Sequence, residues 1–282
     1  MTLNTKMAYM KHKILMLLSV VLFSIAVAAQ ENIPFVECHY AEKFRDNLLK
    51  KDKYRQDEMV LRISKTSSEF FSLWRRSRNE IQDSILARGG SREDVLAARE
   101  KIIYPLSNQY QTIYKNLPQR GMLTYTDKIF GKKYLYTEKQ EMPQWKILQE
   151  KKVVANHSCQ KAEATYLGRK WIVWFTAEIP ISDGPWKLWG LPGLILEAAD
   201  VDNDYQFTCI EIKNLSHGKE IKVPKAQYVK CTKAQHIKVI TEYEEDANKF
   251  IQRQGVSGVF SIGTDGKATS ALPESKYNYI ER

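Results

Sequence analysis

The densest group of potential metal ligands in this chain is a run of carboxylates at alternate positions. Asp200, Asp202 and Asp204 place several oxygens around one point, as a calcium loop does. Glu211 occupies the twelfth position counted from Asp200, which adds to this partial match. Tyr205, however, stands at the sixth position, where such a loop needs glycine for its sharp turn. Because the flanking residues also resemble strands, the pattern favours a polar hairpin turn, and we predict no metal site.

Nitrogen and sulfur donors are adjacent in two places, Cys38-His39 and His157-Ser158-Cys159, and neither has a recognised zinc spacing. The four cysteines are widely spaced and form no Cys-x-x-Cys, so catalysis of thiol–disulfide exchange has no support. An even number of cysteines favours disulfides if the chain is exported, as its N-terminal residues predict (see below), and three pairings are open. The disulfide candidates are Cys38, Cys159, Cys209 and Cys231.

Signatures of nucleophilic or metal-dependent catalysis are missing from the sequence. It contains no Gly-x-Ser-x-Gly, no His-Glu-x-x-His and no phosphate-binding glycine loop. Paired carboxylates stay open, because their members can come from anywhere in a fold. Glu178 and Asp183 bracket a turn at Pro180 and are the first pair to consider. We predict no cofactor, and the balance leans against an enzyme.

Aromatic side chains and special backbone residues concentrate between Ile179 and Glu197, which contains three prolines, three glycines and two tryptophans. Glycine and proline together specify one backbone path. In the preceding strand, Trp171 and Trp174 point to opposite faces. The tryptophans either fill the core, with the glycines permitting close backbone approach, or line a cavity for a lipid-like or aromatic ligand. The candidates for these roles are Trp171, Trp174, Trp186, Trp189, Gly190, Leu191, Pro192 and Gly193.

Alternating apolar residues predict the strands that position these groups, and short turns join them as hairpins. The predicted hairpins pair 58–64 with 69–74, 121–126 with 133–137, 162–167 with 171–176, and 194–198 with 205–210. Two short helices separated by Gly89-Gly90 form an insertion at about 75–100, and the second begins at a Ser91 capping box. Another helix extends from Thr232 to Gln252 and has an apolar stripe on one side.

These elements predict a mainly β fold with flanking helices, arranged as a curved antiparallel sheet or half-open barrel. No repeat at a solenoid or propeller period is present, and no Pro-, Ser- and Gly-rich linker divides the chain. Residues 30–257 are therefore predicted to form a single β-rich domain. Residues 258–282, rich in Gly, Ser and Lys, predict a flexible tail.

The N-terminal residues have the layout of a secretory signal peptide. Lys11 and Lys13 precede an uncharged apolar run over 14–27, and Ala26-Val27-Ala28 forms a small-residue cleavage site. The run is shorter than the roughly 20 residues that a membrane-spanning helix needs. We therefore predict a signal peptide at 1–29, an exported protein in the periplasm or outside the cell, and no transmembrane segment after cleavage.

The charge of the chain argues against nucleic-acid partners. The formal net charge is +10 and remains positive once the lysines of the leader are removed. Charges of both signs are mixed along the chain, and no recognition module accompanies a basic face. An exported protein also seldom meets nucleic acid, so we predict a soluble basic surface instead.

Five motifs in a fixed order carry a family resemblance: Cys159-x-Lys161-Ala162, Gly168-Arg169-x-Trp171, Trp174-Phe175-Thr176-x-Glu178-Ile179-Pro180, Gly184-Pro185 and Trp189-Gly190-Leu191-Pro192-Gly193-Leu194-Ile195. Over about residues 57–215, the chain resembles the GLPGLI family of exported proteins, common in Bacteroidota. The resemblance implies export and brings no established activity. A likeness within the family to the bowl-shaped N-terminal domain of a secreted bacterial peptide-N-glycanase implies a curved sheet but no amidase activity. Phe175 stands where relatives tend to have tyrosine, so any role of that hydroxyl is lost here.

Together these observations predict a non-catalytic binding or accessory module for an envelope protein or an apolar small molecule. Curved sheets can enclose ligands on their inner faces. The alternative is a hydrolase or glycan-active enzyme without a recognisable motif. That alternative requires carboxylates or histidines that converge in a cleft.

Overall fold

The computed structural model describes residues 31–50, 52–102, 105, 107, 109–253, 261–262, 268–269 and 277–281. The predicted signal peptide lies outside these residues. Within them, no helix is both long enough and apolar enough to cross a bilayer. The fold class is as predicted, because strands dominate and form one large open sheet with a few helices beside it.

The large sheet contains twelve strands. They are β1 (Val36–Phe44), β2 (Arg55–Ile63), β3 (Ser68–Ser72), β4 (Thr112–Lys115), β5 (Met122–Ile129), β6 (Lys132–Lys139), β7 (Lys146–Val154), β8 (His157–Tyr166), β9 (Arg169–Thr176), β10 (Leu194–Asp200), β11 (Tyr205–Asn214) and β12 (Tyr228–Lys230). Their order in space is β12-β6-β5-β4-β3-β2-β1-β11-β10-β9-β8-β7. Only β12 and β6 run parallel among the described neighbours, so the sheet is mixed. A separate hairpin joins β13 (Ser261–Ile262) to β14 (Ala268–Thr269).

All four predicted hairpins are present, as β2–β3, β5–β6, β8–β9 and β10–β11. Their alternation of apolar and polar residues was clear because one face of each strand packs on the core. Strand β1 was not predicted, although it lies in the middle of the sheet between β2 and β11. Cys38, Tyr40, Glu42 and Phe44 all face inward on β1 and are buried. The strand was not recognised because Glu42, an acidic residue, interrupts the apolar residues of this inward row.

Strong curvature brings distant strands of the sheet together. Tyr125 on β5 and Phe207 on β11 are five strand positions apart, yet both line one cavity. In a flat sheet, strands spaced by about 4.8 Å would place them roughly 24 Å apart. The sheet therefore curls around an enclosed space without closing into a barrel.

Four helices flank the described sheet: α1 (Leu73–Ala87), α2 (Arg92–Glu100), α3 (Lys233–Glu245) and α4 (Ala247–Arg253). The first two are the predicted insertion, and Ser91 and Asp94 form the predicted capping box of α2. Thr232 caps α3 through a reciprocal box with Gln235. The predicted single helix over 232–252 is interrupted at Asp246, whose non-helical backbone separates α3 from α4.

Residues 277–281, which we call the C-terminal segment, pack against the domain. Asn278 is 2% exposed, and Tyr277 forms an isolated bridge with Asn47. Arg169 donates to the backbone oxygens of Tyr279 and Ile280, at 2.5 and 3.0 Å. This part of the predicted flexible tail is therefore anchored, whereas 254–260, 263–267 and 270–276 lie outside the described residues.

Candidate ligand-binding cavity

A cavity of about 590 Å³ lies between the inner face of the curled sheet, helix α3 and the C-terminal segment. Half of the described residues that line it are aromatic. Those from the sheet and from the 177–193 connection are Phe44, Phe70, Tyr125, Trp186, Tyr205 and Phe207. Helix α3 contributes Ile240, Tyr243 and Glu244, and the C-terminal segment contributes Tyr277, Tyr279 and Ile280. The volume is within the range of small-molecule sites.

The aromatic rings of the lining are fixed by contacts with one another. Phe44 stacks on Tyr205 with ring centroids 6.1 Å apart, and Phe70 meets Phe207 edge-to-face at 5.9 Å. Tyr277 and Tyr279 have centroids 5.4 Å apart. Such pairs favour defined ring orientations over free rotation, so the lining is a preformed surface.

Trp186 reaches this cavity because a buried lysine holds its loop in place. The Lys115 Nζ atom donates to Asp183 Oδ1 at 2.5 Å, to Gly184 O at 2.7 Å and to Leu188 O at 3.2 Å. All three donor positions of the ammonium are therefore satisfied, although Lys115 is only 1% exposed. Trp186 itself has a left-handed backbone, with φ of 53°, and is 3% exposed. Burial lowers the pKa of Lys115, and the charge of Asp183 opposes that effect.

Two carboxyl groups meet where β1 pairs with β2. Glu42 and Asp57 are directly opposite in the strand register, and each is 3% exposed. Gln109 Nε2 donates to Glu42 Oε2 at 3.2 Å, while Ser72 and Ser107 donate to Asp57. Burial raises the pKa of Glu42 well above its usual range, and the charge of Asp57 adds to this. Burial likewise raises the pKa of Asp57 to about 6, against the opposing hydrogen bonds.

The other carboxyls of the lining differ in their partners. Asp46 pairs with Arg55, and Asp127 Oδ2 lies 3.1 Å from His236 Nε2. Glu244 on α3 instead accepts a hydrogen bond from the Tyr279 hydroxyl of the C-terminal segment. Burial raises the pKa of Glu244 to about 8, and the bond from Tyr279 acts in the opposite direction.

Arg169 anchors the C-terminal segment and pairs with two carboxylates of the acidic turn. Its Nη1 atom donates to Asp200 Oδ2 at 2.5 Å and to Asp204 Oδ2 at 3.3 Å. Its Nη2 atom donates to the Asn278 side chain at 2.7 Å, and Arg45 also pairs with Asp204. Asp202 comes close enough to complete a group of three carboxylates. Because the turn joins β10 to β11 and guanidinium groups occupy its buried carboxylates, the favoured polar hairpin turn describes it well.

Eight residues of β9 and the following loop were predicted either to fill the core or to line a cavity. Of these eight, Trp186 alone is in the described lining of this cavity. Trp171 is fully buried, 5.5 Å from the Trp186 ring, and its Nε1 has no hydrogen-bond partner among the described residues. Trp174 is on the opposite face, beneath the Lys152 ammonium at 4.5 Å. Trp189 is half-buried and donates to Glu141 O. The loop thus serves mainly as core, with one tryptophan extending to the cavity.

The other predicted residues of this loop, 190–193, include two glycines at positions where the backbone leaves little room for a side chain. A Cβ atom on Gly193 would lie 2.1 Å from Thr176 O, and Gly190 has a φ of 96° beside Met142. Leu191 is 2% exposed, whereas Pro192 is on the surface. The glycines therefore permit the close approach that was one of the two predicted roles.

The predicted carboxylate pair is not assembled. Glu178 is exposed and its Oε2 atom lies 2.7 Å from His157 Nδ1, while Asp183 belongs to the buried Lys115. His39 lies between two other carboxylates, 2.6 Å from Glu58 and 2.9 Å from Glu37. Neither adjacent histidine–cysteine group forms a cluster of three ligands in the described parts of the chain.

The predicted disulfides are absent, and all four cysteines are free thiols. Cys38 on β1 and Cys209 on β11 are on adjacent strands but out of register, because Cys38 is opposite Ile212 and Cys209 is opposite Tyr40. Cys159 lies on β8, and Cys231 lies beside Leu135 of β6. Burial raises the pKa of Cys159 and Cys209 to about 11, so these thiols remain protonated.

Sequence reasoning missed the residues that give this cavity its polar character. Glu42 carried a signal, since it continues the inward period-two row of Cys38, Tyr40 and Phe44. Glu244 lies next to Tyr243 in the predicted helix and had no distinguishing pattern. The C-terminal segment could not have been found locally, because its contacts are with residues far away in the sequence.

Comparisons with known proteins give one short family match and two similar structures, and they assign no activity to this chain. A family described as "Protein of unknown function (Porph_ging)" matches residues 167–197, which extend from the β8–β9 turn into β10. No curated protein matches the sequence. Two solved structures of PNGF-II, in space groups P21 and C2, are similar, with TM-scores of 0.47 and 0.46 and 12% identity to each. The similarity covers 75% of this chain and 34% and 33% of theirs, so the chain spans about a third of their length.

Proposed function

We propose that this protein is an exported, non-catalytic binding protein that holds a small apolar or aromatic ligand in the cavity beneath α3. The observation that carries the proposal is the lining itself, half of whose described residues are aromatic. Aromatic walls supply large contact area, and a few polar groups then orient the ligand. The N-terminal signal pattern supports export, and the Trp189–Ile195 motif supports membership of the GLPGLI family.

The experiment is a titration with N-phenyl-1-naphthylamine, an uncharged aromatic dye that fluoresces in apolar surroundings. We expect saturable binding by the native protein. Ile240→Trp should abolish it, because Ile240 lines the cavity and the larger ring would fill the space. Ile237→Trp is the matched control, since Ile237 is on the same helix but 44% exposed and outside the lining.

Failure of the native protein to bind the dye, or equal loss in both tryptophan variants, would count against this function. Native mass spectrometry of the purified protein adds a second readout. A co-purifying small molecule should be present in the native protein and the Ile237→Trp control, and absent from Ile240→Trp.

A second candidate function, acid–base hydrolysis, is favoured by the Glu42–Asp57 pair. Two adjacent buried carboxyls tend to hold one proton between them, which suits one group to act as acid and the other as base. Glu42 also lines the cavity, so a substrate could reach it. A panel of 4-nitrophenyl esters and glycosides tests this: hydrolysis that is lost in Glu42→Gln and kept in Glu245→Gln would support it. No turnover by the native protein would leave binding as the function.

A further inference from the structure

We propose that the ligand of this cavity is an organic cation, an apolar or aromatic body that carries an ammonium group. This inference rests on the proposed binding function and specifies its chemistry. Aromatic faces attract cations through their electron-rich centres, and quaternary ammonium groups are recognised in aromatic cages by this effect. The cavity combines such rings with an excess of carboxyl groups.

The charge balance of the lining supports a positive ligand. Its described residues include four acidic side chains and one basic side chain, Lys128. The whole chain, by contrast, has a formal net charge of +10. A locally acidic cavity in a basic protein is therefore a property of this site rather than of the overall composition. An anionic ligand would meet Lys128 as the one basic side chain of the described lining, whereas a cation could approach four carboxyls.

Two of the four carboxyls have no basic side chain as a partner among the described residues. Asp46 pairs with the Arg55 guanidinium, and Asp127 Oδ2 lies 3.1 Å from the His236 imidazole. Glu42 and Glu244 instead contact only neutral groups by hydrogen bonding, the Gln109 amide and the Tyr279 hydroxyl. They come from β1 and α3, on two sides of the cavity. Burial without a counter-charge favours the protonated form of each carboxyl, and a bound ammonium group would favour the ionised form.

Aromatic rings are neighbours of both carboxyls. Glu42 is on the same inward row of β1 as Phe44, which stacks on Tyr205. Glu244 follows Tyr243 on α3, and its hydrogen-bond partner Tyr279 also lines the cavity. Each unpaired carboxyl therefore has aromatic neighbours that could cover the methyl or methylene groups around an ammonium nitrogen.

The test compares two ligands of the same shape, phenyltrimethylammonium and its uncharged carbon isostere tert-butylbenzene, by displacement of the naphthylamine dye. We expect the native protein to bind the cation about tenfold more tightly, because the two carboxyls and the aromatic faces together favour the charged ligand. The double variant Glu42→Gln with Glu244→Gln should lose this preference while retaining its affinity for tert-butylbenzene. Retained affinity for the neutral ligand shows that the cavity is intact. Glu245→Gln, an exposed carboxyl on the same helix, should behave as the native protein.

The outcomes separate this inference from the function on which it rests. If tert-butylbenzene binds as tightly as the cation, the cationic ligand is ruled out but the binding function stands. If the preference survives in the double variant, recognition of the cation by Glu42 and Glu244 is overturned. If neither ligand displaces the dye and the dye does not bind, both proposals fail. A preference that disappears only when both carboxyls are amides supports the inference.

Discussion

Individual ionisable side chains in this protein occupy unusual surroundings, and Glu244 is the clearest case. It lies at the end of α3 against the cavity, next to the negative charges of Asp127 and Asp46. Burial raises its pKa to about 8 in the folded protein, whereas an unfolded chain would release the proton near its usual value. Between these two pKa values, the folded state therefore holds a proton on Glu244 that the unfolded state has lost.

We expect the free energy of unfolding to fall as pH rises from about 5 to 8, because the unfolded state binds fewer protons there. The contribution of Glu244 should be on the order of 2 kcal/mol once solvent screening of a partly exposed group is considered. Urea unfolding of the native protein and Glu244→Gln at both pH values measures it. The variant should lose part of the pH dependence, and Glu245→Gln should not. Identical slopes in native protein and Glu244→Gln would contradict the assignment.

The cysteines give a second expectation at the scale of single residues. A thiol reagent added to the unfolded, unreduced protein should count four thiols per chain, since none is in a disulfide. In the folded protein, Cys38, Cys159 and Cys209 should react far more slowly than Cys231, because they are buried and burial raises their pKa values. A count of two or fewer in the unfolded protein would restore the disulfide prediction.

Among the elements, the loop between β9 and β10 is constrained by the close backbone approach of one glycine. Gly193 packs against the backbone at the end of β9, where Thr176 O leaves no room for a side chain. This contact could be anticipated only in general terms, as close backbone approach by some glycine of the loop. Which glycine makes it depends on the path of the loop over β9, and that path is fixed by the buried Lys115, a residue of a different element.

Gly193→Ala should therefore destabilise the protein by about 3 kcal/mol, as overpacking against rigid backbone does. Gly218→Ala is the control, because Gly218 is exposed and its nearest neighbour is a proline side-chain atom at 3.0 Å. Thermal unfolding of both variants is the measurement. Equal melting temperatures for the two would show that the loop can shift away from Thr176.

At the scale of the whole molecule, the sequence predicts hairpins between neighbouring strands well, but it predicts poorly how distant strands are ordered and how the sheet curves. The four hairpins were predictable because a short turn and two alternating strands are contiguous. The position of β1 and the curvature of the sheet were not, because each depends on pairings between distant strands. The cavity follows from that curvature, so only Trp186 among its lining residues was anticipated as a candidate.

Arg169 joins two distant parts of the molecule, the turn between β10 and β11 and the C-terminal segment. Arg169→Met would leave the buried carboxylates of Asp200 and Asp204 without its charge and remove the anchor of the C-terminal segment. We expect a loss of roughly 3–5 kcal/mol, as when one partner of a buried ion pair is removed. Lys170→Met is the control, since its ion pair with Glu163 is on the surface. Urea unfolding measures both, and a loss below 1 kcal/mol for Arg169→Met would contradict this role.

The anchoring of the C-terminal segment also has a consequence for the order in which the protein folds. Asn278 donates to the backbone of Arg45 across 233 positions of sequence, so this contact cannot form until residue 278 has left the ribosome. Contacts of such long range generally form late. The wall that Tyr277 and Tyr279 contribute is therefore completed after the strands of the large sheet have been synthesised, and until then the aromatic inner face of the sheet is exposed to water. During that interval the growing chain is most exposed to aggregation and to capture by chaperones.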